Sequence, residues 1–216
     1  MAARGRPRAF DRDSALRRAM EVFWEQGYEG TSMTDLTAAM GINSPSLYAA
    51  FGSKEALFRE TIELYGRSEG SCTARALREE PTARAAVEAL LRDNARMYTT
   101  ENLPHGCMVV LAGATYTKQT EGIRTLLTGK RRETGTGIRA RLDRGVSEGE
   151  LPADTDTTEL AEFYTTVLYG LSIRARDGAG YDDLTGAVDR AMTAWPTGGN
   201  LPADHIRRNA AIRSVS

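Results

Sequence analysis

The chain of 216 residues predicts an all-α fold, and three observations carry the prediction. Apolar residues recur at i, i+3, i+4 and i+7 through most of its segments. Residues that start and stop helices stand at the ends of those segments. Between Thr82 and Trp195 no segment reads convincingly as a strand. The run MVVLA at Met108 to Ala112 is short enough for a strand or a buried helix, and the helical patterns around it favour helix.

Taken in order, the first helix is expected from about Asp13 to Gln26, with Leu16, Ala19, Met20 and Phe23 as its buried face and Gly27 closing it. Ser32 precedes the second. Its hydroxyl and the carboxylate of Asp35 can satisfy the orphan amides of a first turn, Leu36 and Met40 share a face, and Gly41 offers a residue that leaves the helix with positive φ at little cost. A third helix starts at Asn43 or Ser44. Pro45 falls in its first turn, where a missing N–H costs nothing, and Leu47 and Phe51 form its buried stripe. Ser44, Ser46, Tyr48 and Ala49 are left facing outward, small or hydroxyl-bearing residues that let a backbone approach a nucleic-acid duplex. Two short helices joined by a Gly-containing turn, with a Tyr and a Lys following, have the layout of a helix-turn-helix.

The segment GINSPSLYAAFGSKEALF resembles the N-terminal signature of the TetR family of transcriptional regulators, and the similarity runs from about Phe10 to Tyr65. The resemblance implies a three-helix DNA-binding domain followed by a larger helical domain that binds a small ligand and dimerises. It implies phosphate contacts from Tyr48 and Lys54 and, at the start of the second helix, from Thr31 and Ser32. Ser44, Pro45 and Ser46 would face the major groove. The match departs from the common pattern at Thr37, where Ala is frequent, and at Ala49 and Ala50, where larger aromatic or basic residues are frequent; a methyl contact from Ala49 to thymine is what remains there.

Charge is informative only locally. The formal net charge is −1, which lacks the basic excess of nonspecific nucleic-acid binders. The first 18 residues, however, hold six Arg against two Asp, a local excess of +4. Arg4, Arg6 and Arg8 in the stretch RGRPR suit an arm lying in a narrow minor groove, the alternative being a merely solubilising terminus. A dimer presenting two recognition helices roughly 34–36 Å apart would read two half-sites of a palindromic operator in double-stranded DNA.

Length leaves room for two domains. The expected organisation is a basic arm over 1–12, a helix-turn-helix domain over 13–66, a ligand-binding and dimerisation domain over 67–196, and a poorly ordered tail over 197–216. Within the larger domain, helices are expected at about 82–100, 105–117, 121–148, 155–176 and 181–195, with Pro104, Gly149 to Pro152 and Gly178 to Gly180 as breaks. No apolar run is long enough to span a membrane, the N-terminus lacks the apolar core of a secretory signal, and two Cys make no disulfide framework, so a cytoplasmic protein is expected.

The last two helices carry apolar stripes, one through Leu160, Phe163, Tyr164, Val167, Leu168 and Leu171, the other through Leu184, Val188, Ala191, Met192 and Trp195. Intrachain core accounts for part of each. The resemblance adds that the two helices pair with their copies in a homodimer, which puts Leu160, Val167, Leu168, Leu171, Leu184, Val188, Met192 and Trp195 at the interface. A ligand cavity between helices would draw on Met97, Tyr98, Leu103, Cys107, Met108, Leu111, Tyr116, Phe163, Tyr164 and Tyr169, which suits a small, largely apolar or aromatic effector; each is otherwise a core residue.

The motif PHGCMVV, Pro104 to Val110, resembles a Gly-Cys feature of one TetR subgroup, some of whose members sense electrophiles or oxidants. Cys107 at a helix start near His105 is either a reactive thiol or a small buried hydrophobe. An enzyme is not expected, because no group orients His105 and Cys107 for catalysis and no oxyanion hole is identifiable. Cys72, His105, Cys107 and His205 lack zinc-site spacing, so neither metal nor cofactor is expected. The basic run Lys130 to Arg132 is expected mid-helix as a solvated face.

Overall fold

A computed structural model describes residues 10–112 and 120–196. The described residues form ten helices and no strand: α1 Arg12–Gly30, α2 Met33–Met40, α3 Ser44–Phe51, α4 Lys54–Arg67, α5 Ser71–Glu79, α6 Ala83–Tyr98, α7 Met108–Leu111, α8 Glu121–Ser147, α9 Thr157–Arg176 and α10 Tyr181–Met192. Arg4, Arg6, Arg8, Tyr116 and the expected tail lie outside the described residues.

The caps explain where the early helices begin. Asp11 accepts from the Asp13 and Ser14 amides at 3.0 and 3.4 Å. Ser32 and Asp35 form a reciprocal capping box, Asn43 accepts from Ser46 N at 2.9 Å, and Ser53 accepts from Ala56 N at 3.0 Å. Each such cap stabilises its helix by about 1 kcal/mol. Gly27, at φ 72° and ψ 175°, breaks α1 at the expected place, but a further turn continues to Gly30. Gly41 at φ 67° ends α2 in the left-handed region.

Two hydrophobic clusters hold the molecule. One gathers α1 to α4, with Leu36, Leu47, Leu57 and Phe58 each at 0% exposure, and it also takes in Met108, Ala112, Ile123 and Leu127 from much later in the chain. The other joins α5, α6, α8, α9 and α10. Met97 and Cys107 pack against both and so lie on the seam.

The helices expected at 82–100, 121–148, 155–176 and 181–195 form within a few residues of those bounds. The segment expected as a helix over 105–117 contains one turn, α7, before the described residues stop at 112. The expected helices leave the stretch between 67 and 82 unassigned, and α5 stands there. Its N-cap Gly70 supplies no side-chain cap and Ala76 is its one buried residue, so neither a cap nor an apolar stripe announces it. No helix among the described residues is long and apolar enough to cross a membrane.

Candidate nucleic-acid interface and ligand cavity

α3 turns Leu47 and Phe51 into the core, at 0% and 4% exposure, and this fixes the opposite face toward solvent. Ser44, Pro45, Tyr48 and Ala49 are exposed there, and Ser46 is half-buried. The face carries no bulky side chain except Tyr48, 50% exposed, whose hydroxyl can reach past the helix to a phosphate.

Around α3 the structure redistributes several expected contacts. Thr31 is 2% exposed and its hydroxyl donates to Gly27 O at 2.7 Å. That bond clamps the last turn of α1, which corrects the expectation that the Thr31 side chain contacts phosphate. Ser32 is exposed, and both its polar groups engage Asp35: its amide donates to Asp35 Oδ2 at 2.8 Å, and its hydroxyl accepts from the Asp35 amide at 3.1 Å and hydrogen-bonds the Asp35 carboxylate, lowering its pKa. Lys54, the first residue of α4, holds its ammonium 4.4 Å from the centre of the Tyr28 ring. Partial burial lowers its pKa, with Glu29 opposing. The local excess of +4 also shrinks, because Arg12 pairs with Glu60 at 2.7 Å and Arg17 with Glu69 at 2.8 Å.

Behind this frame lies a cavity of about 570 Å³ bounded by α4, α5, α6, the Cys107–Val110 segment, α8 and α9. Of the described residues expected for ligand contacts, Tyr98, Cys107 and Tyr169 line it. The others do not. Met108 is 0% exposed in the first cluster, Met97 and Leu103 pack as partly buried core, and Leu111 borders a separate, more polar hollow of about 290 Å³ beside Trp24 and Arg176. Phe163 is 40% exposed, and Tyr164, at 0%, donates to Ala191 O at 3.4 Å. Helical periodicity marks all of these as inward or outward, but which helix-to-helix gap stays open depends on the packing of α5 against α6 and α8.

Sequence reasoning missed one wall altogether. Ile62, Glu63, Tyr65, Gly66 and Arg67 of α4 line the cavity, along with Thr73, Asn94 and Arg131. The spacing of Ile62, Tyr65 and Gly66 along one face of α4 is the signal that points there, and a domain boundary drawn at residue 66 hides it.

The lining offers protonated phenols. Burial pushes the Tyr65 and Tyr98 pKa values well above 10, Cys107 adding to both, and burial followed by Cys107 raises Tyr169 to about 12. All three therefore remain neutral hydroxyls near pH 7. Tyr169 donates to Arg131 O at 2.8 Å, while the buried Tyr65 hydroxyl has no oxygen or nitrogen partner. At the mouth Lys130 bridges Glu63 and Glu133, each at 3.3 Å. The Asn94 amide donates to Thr73 Oγ1 and Leu90 O, both at 2.8 Å.

Cys107 sits half-buried at the N-cap of α7, a single turn with little macrodipole, and His105 is exposed. No group of His, Cys, Asp and Glu among the described residues could hold a metal ion.

The expected dimer contacts need the largest correction. Leu168, Leu171, Leu184, Val188, Met192 and Trp195 are all buried within the single chain, at 0–8% exposure, because α9 and α10 close the second cluster against α6. Only Leu160 and Val167 of that set reach the surface in part. The outward side of α9 instead shows Phe163, Gly170 and Ile173, and that of α10 shows Gly186 and Ala187. A Cβ added at Gly170 or Gly186 would meet nothing within 4 Å.

Comparison with known proteins bears on both faces. Residues 15–61 match the family model described as bacterial regulatory proteins, tetR family, and residues 83–195 match the tetracyclin repressor-like C-terminal domain. The HTH-type transcriptional repressor ComR of Escherichia coli K12 is 34% identical over 195 residues, covering 90% of this chain and 93% of ComR. The repressor BdcR of the same organism is 31% identical, covering 89% and 93%. Among solved structures, a cysteine mutant of the TetR family transcriptional regulator CifR, complexed with 26-bp double-strand operator DNA, superposes with a TM-score of 0.86 at 50% identity, covering 88% of this chain and 100% of that one.

Proposed function

The chain belongs to the TetR family of bacterial regulatory proteins, and from that premise we propose that it is a homodimeric transcriptional repressor released from a palindromic operator by a small molecule. The observation that carries this reading is the placement of one helix, α4. Its N-terminus follows α3 after two residues, and its last turn forms a wall of the 570 Å³ cavity. An occupant of the cavity thereby touches the element that supports the reading head. DNA contacts come from Ser44, Pro45, Tyr48 and Lys54, with Ser32 and Ser46 contributing at the edges. Such a regulator acts in the cytoplasm, where the operator lies.

The effector we propose is a largely apolar or aromatic molecule bearing a hydrogen-bond acceptor. Ile62, Leu77, Val109, Val110 and Leu168 supply the apolar walls, and neutral phenols supply the donors. A constitutive repressor without effector would be expected to pack this space. The dimer would form through the outward faces of α9 and α10, where glycine backbones permit close approach of a second copy.

A second reading has its own observation: the thiol of Cys107 lines the cavity, so an electrophile or oxidant entering it would meet a nucleophile. In that case the effector bonds covalently rather than reversibly.

Fluorescence anisotropy against duplexes tiling the region upstream of the gene, across a salt series, tests the regulator. One palindrome bound tightly at one or two dimers per site is the expected result. Weak, steeply salt-dependent binding to every duplex would refute specific recognition. By linkage, saturating operator must weaken effector binding by the same factor as effector weakens operator binding.

A further inference from the structure

A fully buried hydrogen bond joins the cavity wall to the DNA-binding end of the molecule. Trp24 of α1, 1% exposed, donates its indole Nε1–H to Gly106 O at 3.0 Å. The other bonds around this residue lie toward the surface, where Arg176 donates to Trp24 O and to Glu25, each at 2.8 Å. The Trp24 ring meets the ring of Tyr65 edge-on, with centroids 5.0 Å apart.

Gly106 has little freedom to move. Its φ is +81°, and a Cβ there would come within 2.6 Å of both Leu111 Cδ1 and Ser172 O. Its amide donates to Tyr98 O at 3.1 Å, and the next amide, that of Cys107, donates at 2.8 Å to the hydroxyl of Ser172, itself 0% exposed. Two consecutive residues thus do different jobs. Cys107 presents its side chain to the cavity, and Gly106 holds α1 through its carbonyl.

We infer that the Trp24–Gly106 hydrogen bond is the element through which an occupant of the cavity changes the position of α1, and through α1 that of the DNA-reading helices. The inference rests on the effector reading above. A group that crowds the Cys107 side chain must displace the peptide on its N-terminal side. Leu111 and Ser172 block that peptide on one flank, so the displacement is taken up at the indole bond. The lengthened bond leaves a buried donor unpaired, and the balance shifts to an arrangement of α1 in which Trp24 has moved. On its other faces α1 packs on α2 and α4, where Phe23 meets Phe58 edge-on at 5.0 Å, so its movement repositions the frame that carries α3.

The test uses N-ethylmaleimide as the probe, on full-length protein carrying Cys72→Ala so that Cys107 is the one thiol. The sulfur adds to the maleimide double bond and the thiol proton passes to the neighbouring carbon, with no leaving group; mass spectrometry confirms one adduct. Operator affinity is then measured before and after alkylation, with Trp24 intact and with Trp24→Phe. The expected result is at least a tenfold loss with Trp24 intact and less than a twofold change with Trp24→Phe. Because the substituted core residue can weaken folding, a second readout keeps Trp24 in place. The indole N–H cross-peak of Trp24, identified by comparison with Trp195→Phe, should move on alkylation. An equal loss of affinity in both proteins, or an unmoved cross-peak while affinity falls, would overturn the inference and leave the effector reading standing. Unchanged operator affinity in both alkylated proteins would overturn this inference and the covalent reading of Cys107, without bearing on a reversible effector.

Discussion

The guanidinium of Arg141, 2% exposed, lies 3.3 Å from the Glu150 carboxylate, and the same carboxylate accepts from the Ala83 amide at the start of α6. One ion pair thereby ties the end of α8 to the helix that backs the cavity. Burial acts to raise the Glu150 pKa, but the Ala83 hydrogen bond and the donors and charge of Arg141 prevail, and the net shift is downward. A carboxyl with a depressed folded pKa contributes stability above its unfolded value of about 4.3 and loses it as pH falls through the folded value. Glu150→Gln should flatten the acid limb of the stability–pH curve below about pH 4.5. An unchanged acid limb in denaturant titrations would show that the pair is not coupled to folding.

Removing the carboxylate and removing the cation should differ in cost. Glu150→Ala leaves a buried cation and should cost about 2–3 kcal/mol. Arg141→Met should be tolerated, because Nε and Nη1 of Arg141 are buried without partners and the charge is already poorly satisfied. Urea midpoints at constant m-value would compare the two.

At the DNA face, Tyr48→Phe and Lys54→Met separate two kinds of phosphate contact. The first should weaken binding to all duplexes by roughly tenfold or less, the worth of about 1 kcal/mol, and leave the salt slope alone. The second should reduce the slope of log K against log salt by roughly 0.9 per subunit. A change in base preference from Tyr48→Phe would contradict its role as a positioning contact.

Thr31 makes the converse case. Thr31→Val removes the clamp on Gly27 O and should lower stability by about 1 kcal/mol while leaving operator affinity unchanged under conditions where both proteins are folded. A uniform loss of affinity for all duplexes would return Thr31 to the phosphate contacts.

The difference between Thr31 and Tyr48 marks how much the sequence could tell. Caps, turn glycines and the Leu47–Phe51 stripe are local, so the helix-turn-helix and its outward residues were legible from spacing alone. The all-α class and four of the five later helices were legible for the same reason. What spacing cannot supply is the partner of an apolar stripe. Leu168 and Trp195 read equally well as core or as interface, and only the closure of α9 and α10 on α6 assigns them to the core. The wall contributed by Tyr65, and the indole bond across 82 residues of sequence, are tertiary facts with no local pattern.

The two thiols should differ in reactivity. Burial, followed by the charge of Asp93, raises the Cys72 pKa to about 11. In Cys107→Ser protein the remaining thiol should react with a maleimide on the order of 100-fold more slowly at pH 8 than an ordinary free thiol. The rate should climb about tenfold per pH unit until it levels near pH 11. A rate like that of a free thiol at pH 8 would mean that Cys72 is open to solvent.

Gly186 tests the dimer face. It lies within α10, is exposed, and has nothing within 4 Å of an added Cβ, so a single chain gains from replacing it: Gly186→Ala should favour the helix by about 0.5–1 kcal/mol. If a second copy packs there, the larger Gly186→Leu pushes the helices apart, and the two effects oppose each other. Sedimentation equilibrium should show Gly186→Leu as monomer at concentrations where the parent protein is dimeric, while thermal unfolding of the monomer is no lower. Operator binding should fall in parallel, since one reading head spans one half-site. A Gly186→Leu protein that remains dimeric would place the interface away from this face, and the exposed Phe163 and Ile173 of α9 would need another explanation.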